Sequence, residues 1–182
     1  MFRCLSIFIF LISTSITQAN DREKIIENLQ KIENLKFKFE QNINGKIENG
    51  YCIIQYPKKI FCNYMKSNQK ILVSNGKSLV IKTKSSFYRY PLNKTPLNLI
   101  LDKKFLIKKI NNSDEKIIDN SYINYSIIEN DNEINVFFDN KTYNLIGWQT
   151  KDIYQNINVT YLSSIQLNQE IENNLFQLPS QN

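Results

Sequence analysis

At residue 36 the chain stops repeating at helical spacing and begins to alternate, and this change of period constrains the fold more than any other feature. Lys36-Phe37-Lys38-Phe39-Glu40-Gln41 puts Phe37 and Phe39 on one face and polar groups on the other, the pattern of a half-buried strand. Short runs of similar character follow at 50–55, 60–64, 70–74, 78–83 and 86–90, then at 105–110, 122–129, 133–139, 145–151 and 156–165. Asn75-Gly76, between two of them, is a tight-hairpin pair. Gly and Pro number only four each, so most other turns fall to Asn and Asp. About ten or eleven antiparallel strands curl into a barrel or half-barrel, since an open sheet of that size exposes its edges.

Before the switch, Asn20-Asp21-Arg22-Glu23 reads as a capping box, with Asn20 as N-cap and Glu23 reaching back. Ile25, Ile26, Leu29 and Ile32 make one apolar stripe, which predicts a helix over 21–34. The strand series is interrupted at Thr95-Pro96-Leu97-Asn98-Leu99-Ile100-Leu101, where Thr95 serves as N-cap and the fixed φ of Pro96 suits a first helical turn. This short helix is apolar almost all round, so protein or ligand must cover it. The fold class is therefore α+β, with both helices candidates to cover the concave face of the sheet.

The first nineteen residues carry the three parts of a secretory signal. Arg3 is the positive start, Leu5 to Ile12 the apolar stretch, and Thr17-Gln18-Ala19 the small-residue cleavage site, so the mature domain is expected to span residues 20–182. The apolar stretch is shorter than the roughly 20 residues needed to cross a bilayer. A lipidated chain would need Cys directly after the cleavage site, and Cys4 is misplaced for that. Cleavage removes one of 23 basic residues, which still outnumber the 17 acidic ones. The lysines are scattered, the pattern of a solvated surface rather than a nucleic-acid face.

The chain has no histidine, which removes Ser-His-Asp and Cys-His mechanisms and most zinc sites. No nucleophile-elbow, phosphate-loop or calcium-loop pattern occurs, and acidic pairs such as Asp114/Glu115 and Asp131/Glu133 lie in Asn-rich polar turns. The expectation is a binding protein, not an enzyme, with no metal or cofactor. Eleven Phe, ten Tyr and the single Trp148 either fill the interior or line a cavity, and composition alone favours the filled core. Cys52 and Cys62 flank Tyr56-Pro57-Lys58-Lys59, a hairpin turn in prospect, and form either a cross-strand disulfide or two half-buried thiols.

In order along the chain, these features resemble the periplasmic outer-membrane lipoprotein carrier (LolA) family. The likeness rests on Phe37-Lys38-Phe39-Glu40-Gln41 after the first helix, Gly50 opening a strand, and Pro57 with basic neighbours before Ile60-Phe61-Cys62-Asn63-Tyr64. It continues through Ile71-Leu72-Val73-Ser74-Asn75-Gly76-Lys77 and through Tyr90-Pro91-Leu92 with Thr95-Pro96-Leu97-Asn98-Leu99-Ile100, and ends on Phe176-Gln177-Leu178-Pro179. The resemblance implies an unclosed half-barrel whose cavity shelters lipoprotein acyl chains. A monomer would take them from an inner-membrane transporter to an outer-membrane receptor. It implies a cavity lined by Phe37, Phe39, Phe61, Leu72, Leu79, Ile81 and Tyr90, with Leu97 and Ile100 from the lid; Trp148 faces in or simply packs.

One position departs from the family. Where the family carries an Arg that hydrogen-bonds the lid, this chain has Tyr56, and a phenol offers one donor where guanidinium offers five. Lys58 and Lys59 are the substitutes nearest in sequence, with side chains expected to point elsewhere. An outer-membrane receptor or sorting protein, or another lipid-binding envelope protein of the same fold, is the alternative; a receptor would require a lipidated N-terminal Cys.

Overall fold

A computed structural model describes residues 20–65, 68–129, 132–151 and 155–181. The expected signal segment lies outside them. Helix α1 spans Asp21–Lys31 and starts at the capping box read from sequence: the Glu23 N–H donates to Asn20 Oδ1 at 2.9 Å, and the Asn20 N–H donates to Glu23 Oε2 at 3.2 Å. The helix stops short of residue 34 because Asn168 takes over the backbone there, its Oδ1 accepting from the Glu33 N–H at 2.7 Å. Strand β1, Asn34–Ile43, begins immediately after.

The strands that follow are β2 (Lys46–Gln55), β3 (Lys59–Met65), β4 (Ile71–Asn75), β5 (Ser78–Lys82) and β6 (Phe87–Pro91). A helical passage comes next: a 3-10 turn at Leu92–Lys94, α2 at Leu97–Ile100 and α3 at Lys103–Asn111. The strands resume as β7 (Glu115–Ile118), β8 (Tyr122–Glu129), β9 (Asn132–Asp139), β10 (Leu145–Lys151) and β11 (Ile157–Leu167). All eleven form one antiparallel sheet in the order β6-β5-β4-β3-β2-β1-β11-β10-β9-β8-β7. The sheet is unclosed, as expected, with β6 and β7 as its edges. The helical passage leads from one edge to the other, so it must cross a face of the sheet.

One expected strand is corrected. Residues 105–110 lie inside α3, while a short strand, β7, forms beyond it. Asp102 explains the outcome: its Oδ1 accepts from the Phe105 N–H at 3.1 Å and caps a helix start. Leu106 and Ile110, four residues apart, are then buried on one side of the helix.

Burial divides the sheet into two faces. Leu35, Phe37 and Phe39 of β1, Cys52 and Ile54 of β2, and Ile60, Cys62 and Tyr64 of β3 all turn toward the helices. Gly50 permits this packing, since a Cβ there would sit 2.0 Å from the Asn63 carbonyl oxygen and 2.9 Å from the Phe39 ring. Gly76, at φ +95°, makes the β4–β5 turn, in which Asn75 Oδ1 accepts from the N–H groups of Lys77 and Ser78. On the opposite face, Val73 and Val80 are also buried, because the C-terminal tail crosses there. Phe176 lies under Lys59, and Lys82 Nζ donates to the Ser180 carbonyl at 2.7 Å.

Candidate binding cavity

The face of the sheet turned toward the helices carries a cavity of about 210 Å³, roofed by α2. Its floor is apolar: Phe39 of β1, Ile60 of β3, Leu72 of β4, Leu79 of β5 and Trp148 of β10, with Cys52 and Cys62 between them. Strand alternation places them there. Cys52 stands directly opposite Cys62 in the β2–β3 register and Cys62 opposite Leu72 in β3–β4, and paired residues share a face. The two cysteines are joined by a disulfide, with Cα atoms 4.1 Å apart. From above, Pro96, Leu97 and Ile100 line the cavity, which stays open along part of its boundary.

The residues singled out from sequence fall into three groups. Phe39, Leu72, Leu79, Leu97 and Ile100 meet around the cavity. Phe37 is on the same face but lies deeper, its ring edge-on to Trp148 at 6.2 Å. Ile81 stands opposite Leu72, and Tyr90 opposite Leu79, so both share the cavity's face. They sit toward the free edge, however, and Tyr90 is 44% exposed. Phe61 is the correction. It stands opposite Ile53 and Val73 on the outer face, 6.2 Å from the Tyr51 ring, because Ile60, Cys62 and Tyr64 occupy the inward positions of β3.

Trp148 and Ile60 are cavity residues that pattern alone did not select. Ile60-Phe61-Cys62 offers apolar residues to both faces, and only the register across the Cys52–Cys62 pair shows which set is inward. For Trp148 the signal is its partner Thr160, itself opposite Gln41 two residues after Phe39.

The lid is held at its hinge, the residues between α2 and α3. Tyr56 packs against the core, but its hydroxyl is buried with no hydrogen-bond partner, and burial pushes the phenol well above its ordinary pKa. Lys58 makes the polar contacts instead. Its N–H donates to the Leu101 carbonyl at 2.9 Å, and its Nζ pairs with Asp102 Oδ2 at 3.3 Å. Its φ of +67° turns the side chain back toward the lid, which corrects the expectation that it points elsewhere. Lys103 anchors the other side, Nζ donating to the carbonyls of Ile32 (2.7 Å) and Gln30 (3.2 Å) at the end of α1.

Along β1, β10 and β11 the cavity wall changes from apolar to polar. Gln41, Thr150, Asn158 and Thr160 follow Phe39 and Trp148, with Lys151 alongside. Gln41 Nε2 donates to Thr160 Oγ1 at 3.1 Å, and the Tyr64 hydroxyl donates to Gln41 Oε1 at 3.2 Å. Next to this strip the buried Glu48 accepts from Lys70 at 2.5 Å and Lys46 at 2.9 Å. Burial alone would raise the Glu48 pKa, but the two lysines outweigh it and hold the carboxyl below its usual range.

Comparison with known proteins adds a family. Residues 30–179 match the family described as outer membrane lipoprotein carrier protein LolA. No curated protein is detectably similar in sequence. Among solved structures, the chain is similar to a LolA superfamily protein from Nitrosomonas europaea, at 8% identity and a TM-score of 0.45, covering 88% of this chain and 99% of that one. It is similar to the Mycobacterium tuberculosis lipoprotein LppX at 9% identity and a TM-score of 0.43, covering 84% and 95%. It is also similar to the MucA/MucB complex of Pseudomonas aeruginosa at 8% identity and a TM-score of 0.48, covering 88% of this chain but only 62% of that one.

Proposed function

We propose, from the premise that this chain belongs to the outer membrane lipoprotein carrier protein LolA family, that it is a periplasmic carrier whose cavity shelters the acyl chains of lipoproteins in transit. In this reading the signal segment is cleaved after Ala19, and the monomeric domain receives lipoproteins from an inner-membrane transporter and delivers them to an outer-membrane receptor.

The observation that carries the reading is the largely apolar cavity roofed by α2. Acyl chains of ~16 carbons gain roughly 0.8 kcal/mol for each CH₂ kept from water, so leaving a membrane requires an apolar shelter of comparable depth. With the lid down the space is about 210 Å³, below the ~300–1,000 Å³ of pockets that enclose a small molecule. Cargo must therefore displace α2, and the apolar underside of the lid then covers the chains as it had covered the floor. Leu72, Leu79, Phe39 and Trp148 would contact the chains from below, with Leu97 and Ile100 above; Ile81 and Tyr90 would extend the contact toward the β6 edge.

Leu97 is half-buried and Ile100 fully buried, so Leu97→Glu is the informative change. It should leave the domain folded and reduce lipoprotein release from inner-membrane vesicles by roughly tenfold or more, because a carboxylate on the lid opposes an apolar guest. Unchanged release by the folded variant would reject the carrier reading.

A further inference from the structure

The polar strip at one end of the cavity is not needed to shelter hydrocarbon, and its chemistry suggests what it meets. The inward positions of three strands change character toward the same end of the cavity, β10 one position later than β1 and β11. Phe39 gives way to Gln41 on β1, Trp148 to Thr150 on β10, and Leu162 to Thr160 and then Asn158 on β11. The register sets these side by side, with Gln41 opposite Thr160 and Thr150 opposite Asn158. Gln41 is engaged by Thr160 and Tyr64. Asn158 is not: its Oδ1 is buried without a hydrogen-bond partner. An unpaired buried acceptor costs free energy that a guest with a matching donor would recover.

Resting on the acyl-carrier reading, we propose that Asn158, with Thr150 beside it, recognises a secondary amide at the head of an acyl chain. The unpaired Oδ1 can accept from the amide N–H, the one group that an amide has and an ester lacks. An ester has no N–H and leaves the acceptor unsatisfied. An anionic head group fits poorly, because Lys151, the cation of this wall, is already paired with Glu133 at 2.8 Å. The subsite therefore favours amide-linked chains over ester-linked ones.

The test uses the delipidated protein and two palmitoyl lipopeptides that differ only in an amide N–H replaced by an ester oxygen, each competing against a fluorescent acyl probe. The protein should bind the amide about tenfold more tightly. Asn158→Leu should bind both with the affinity the parent shows for the ester, and Asn158→Ala serves if the leucine variant does not fold. A preference that persists in the Asn158 variants, or no preference in the parent, overturns the subsite while leaving the carrier reading intact. Failure of both lipopeptides to bind overturns the two together.

Discussion

At Tyr56 the side chain carries a hydroxyl that its surroundings do not use, and two residues later Lys58 contacts the lid through both backbone and ammonium. Removing the Tyr56 hydroxyl should therefore cost nothing. Tyr56→Phe is expected to raise stability by up to about 1 kcal/mol, because an unpaired buried polar group is lost, and urea unfolding checks it. Lys58→Met should act in the opposite sense on the lid: the ion pair with Asp102 is part-exposed and contributes about 0.2–1 kcal/mol. Amide exchange in α2 should accelerate by a few-fold while α1 is unaffected. Faster exchange in the Tyr56 variant and none in the Lys58 variant would return the latch to Tyr56.

Glu48 adds a pH dependence at the same scale. Its folded pKa lies below the ordinary 4.5, so its contribution is complete above that pH and disappears as pH falls through the lower folded value. Glu48→Gln should be less stable than the parent at neutral pH, with the difference in urea midpoint shrinking below about pH 4.5. A difference that stayed constant down to pH 3 would contradict this account of the buried carboxylate.

Among elements, those specified by local chemistry were legible in the sequence. The α1 start follows from Asn20 and Glu23 and the β4–β5 turn from Asn75-Gly76. The lid helix forms where its leucines place it, but the expected Thr95 N-cap is corrected: Pro96 holds that position without a side-chain cap, and the Thr95 hydroxyl donates to the Leu92 carbonyl at 2.8 Å. Where two periods fit one run, pattern could not choose. Phe105-Leu106-Ile107 and Ile110 suit a strand or a helix, and the Asp102 cap decides it. Phe61 shows the same ambiguity inside a strand, since its neighbours Ile60 and Cys62 are also apolar and the alternation is nearly silent. The Lys58 latch was illegible for another reason: a positive φ at a non-glycine residue reverses the direction a side chain takes, and no periodicity reports it.

For the whole molecule, the arrangement is two meanders, β1 to β6 and β7 to β11, joined where β1 pairs with β11, and the connection between the two free edges β6 and β7 crosses the sheet as helices. That topology makes a roof from one continuous passage, 92–111, tethered by Lys58 on one side and Lys103 on the other. The outer face is sealed separately by the C-terminal tail, so the cavity can open at the lid without uncovering Val73 and Val80. Composition alone favoured a filled core; most of the interior is packed in that way, and a cavity of about 210 Å³ lies between Trp148 and α2.

The sole tryptophan, Trp148, lines that cavity, so its fluorescence reports directly on what enters. Titration with a lipopeptide whose acyl chain is brominated near its middle should quench Trp148 strongly and saturably, whereas the unbrominated lipopeptide should compete without quenching. Binding of the brominated lipopeptide with Trp148 emission unchanged would place the chains elsewhere and contradict the cavity as the acyl-chain site.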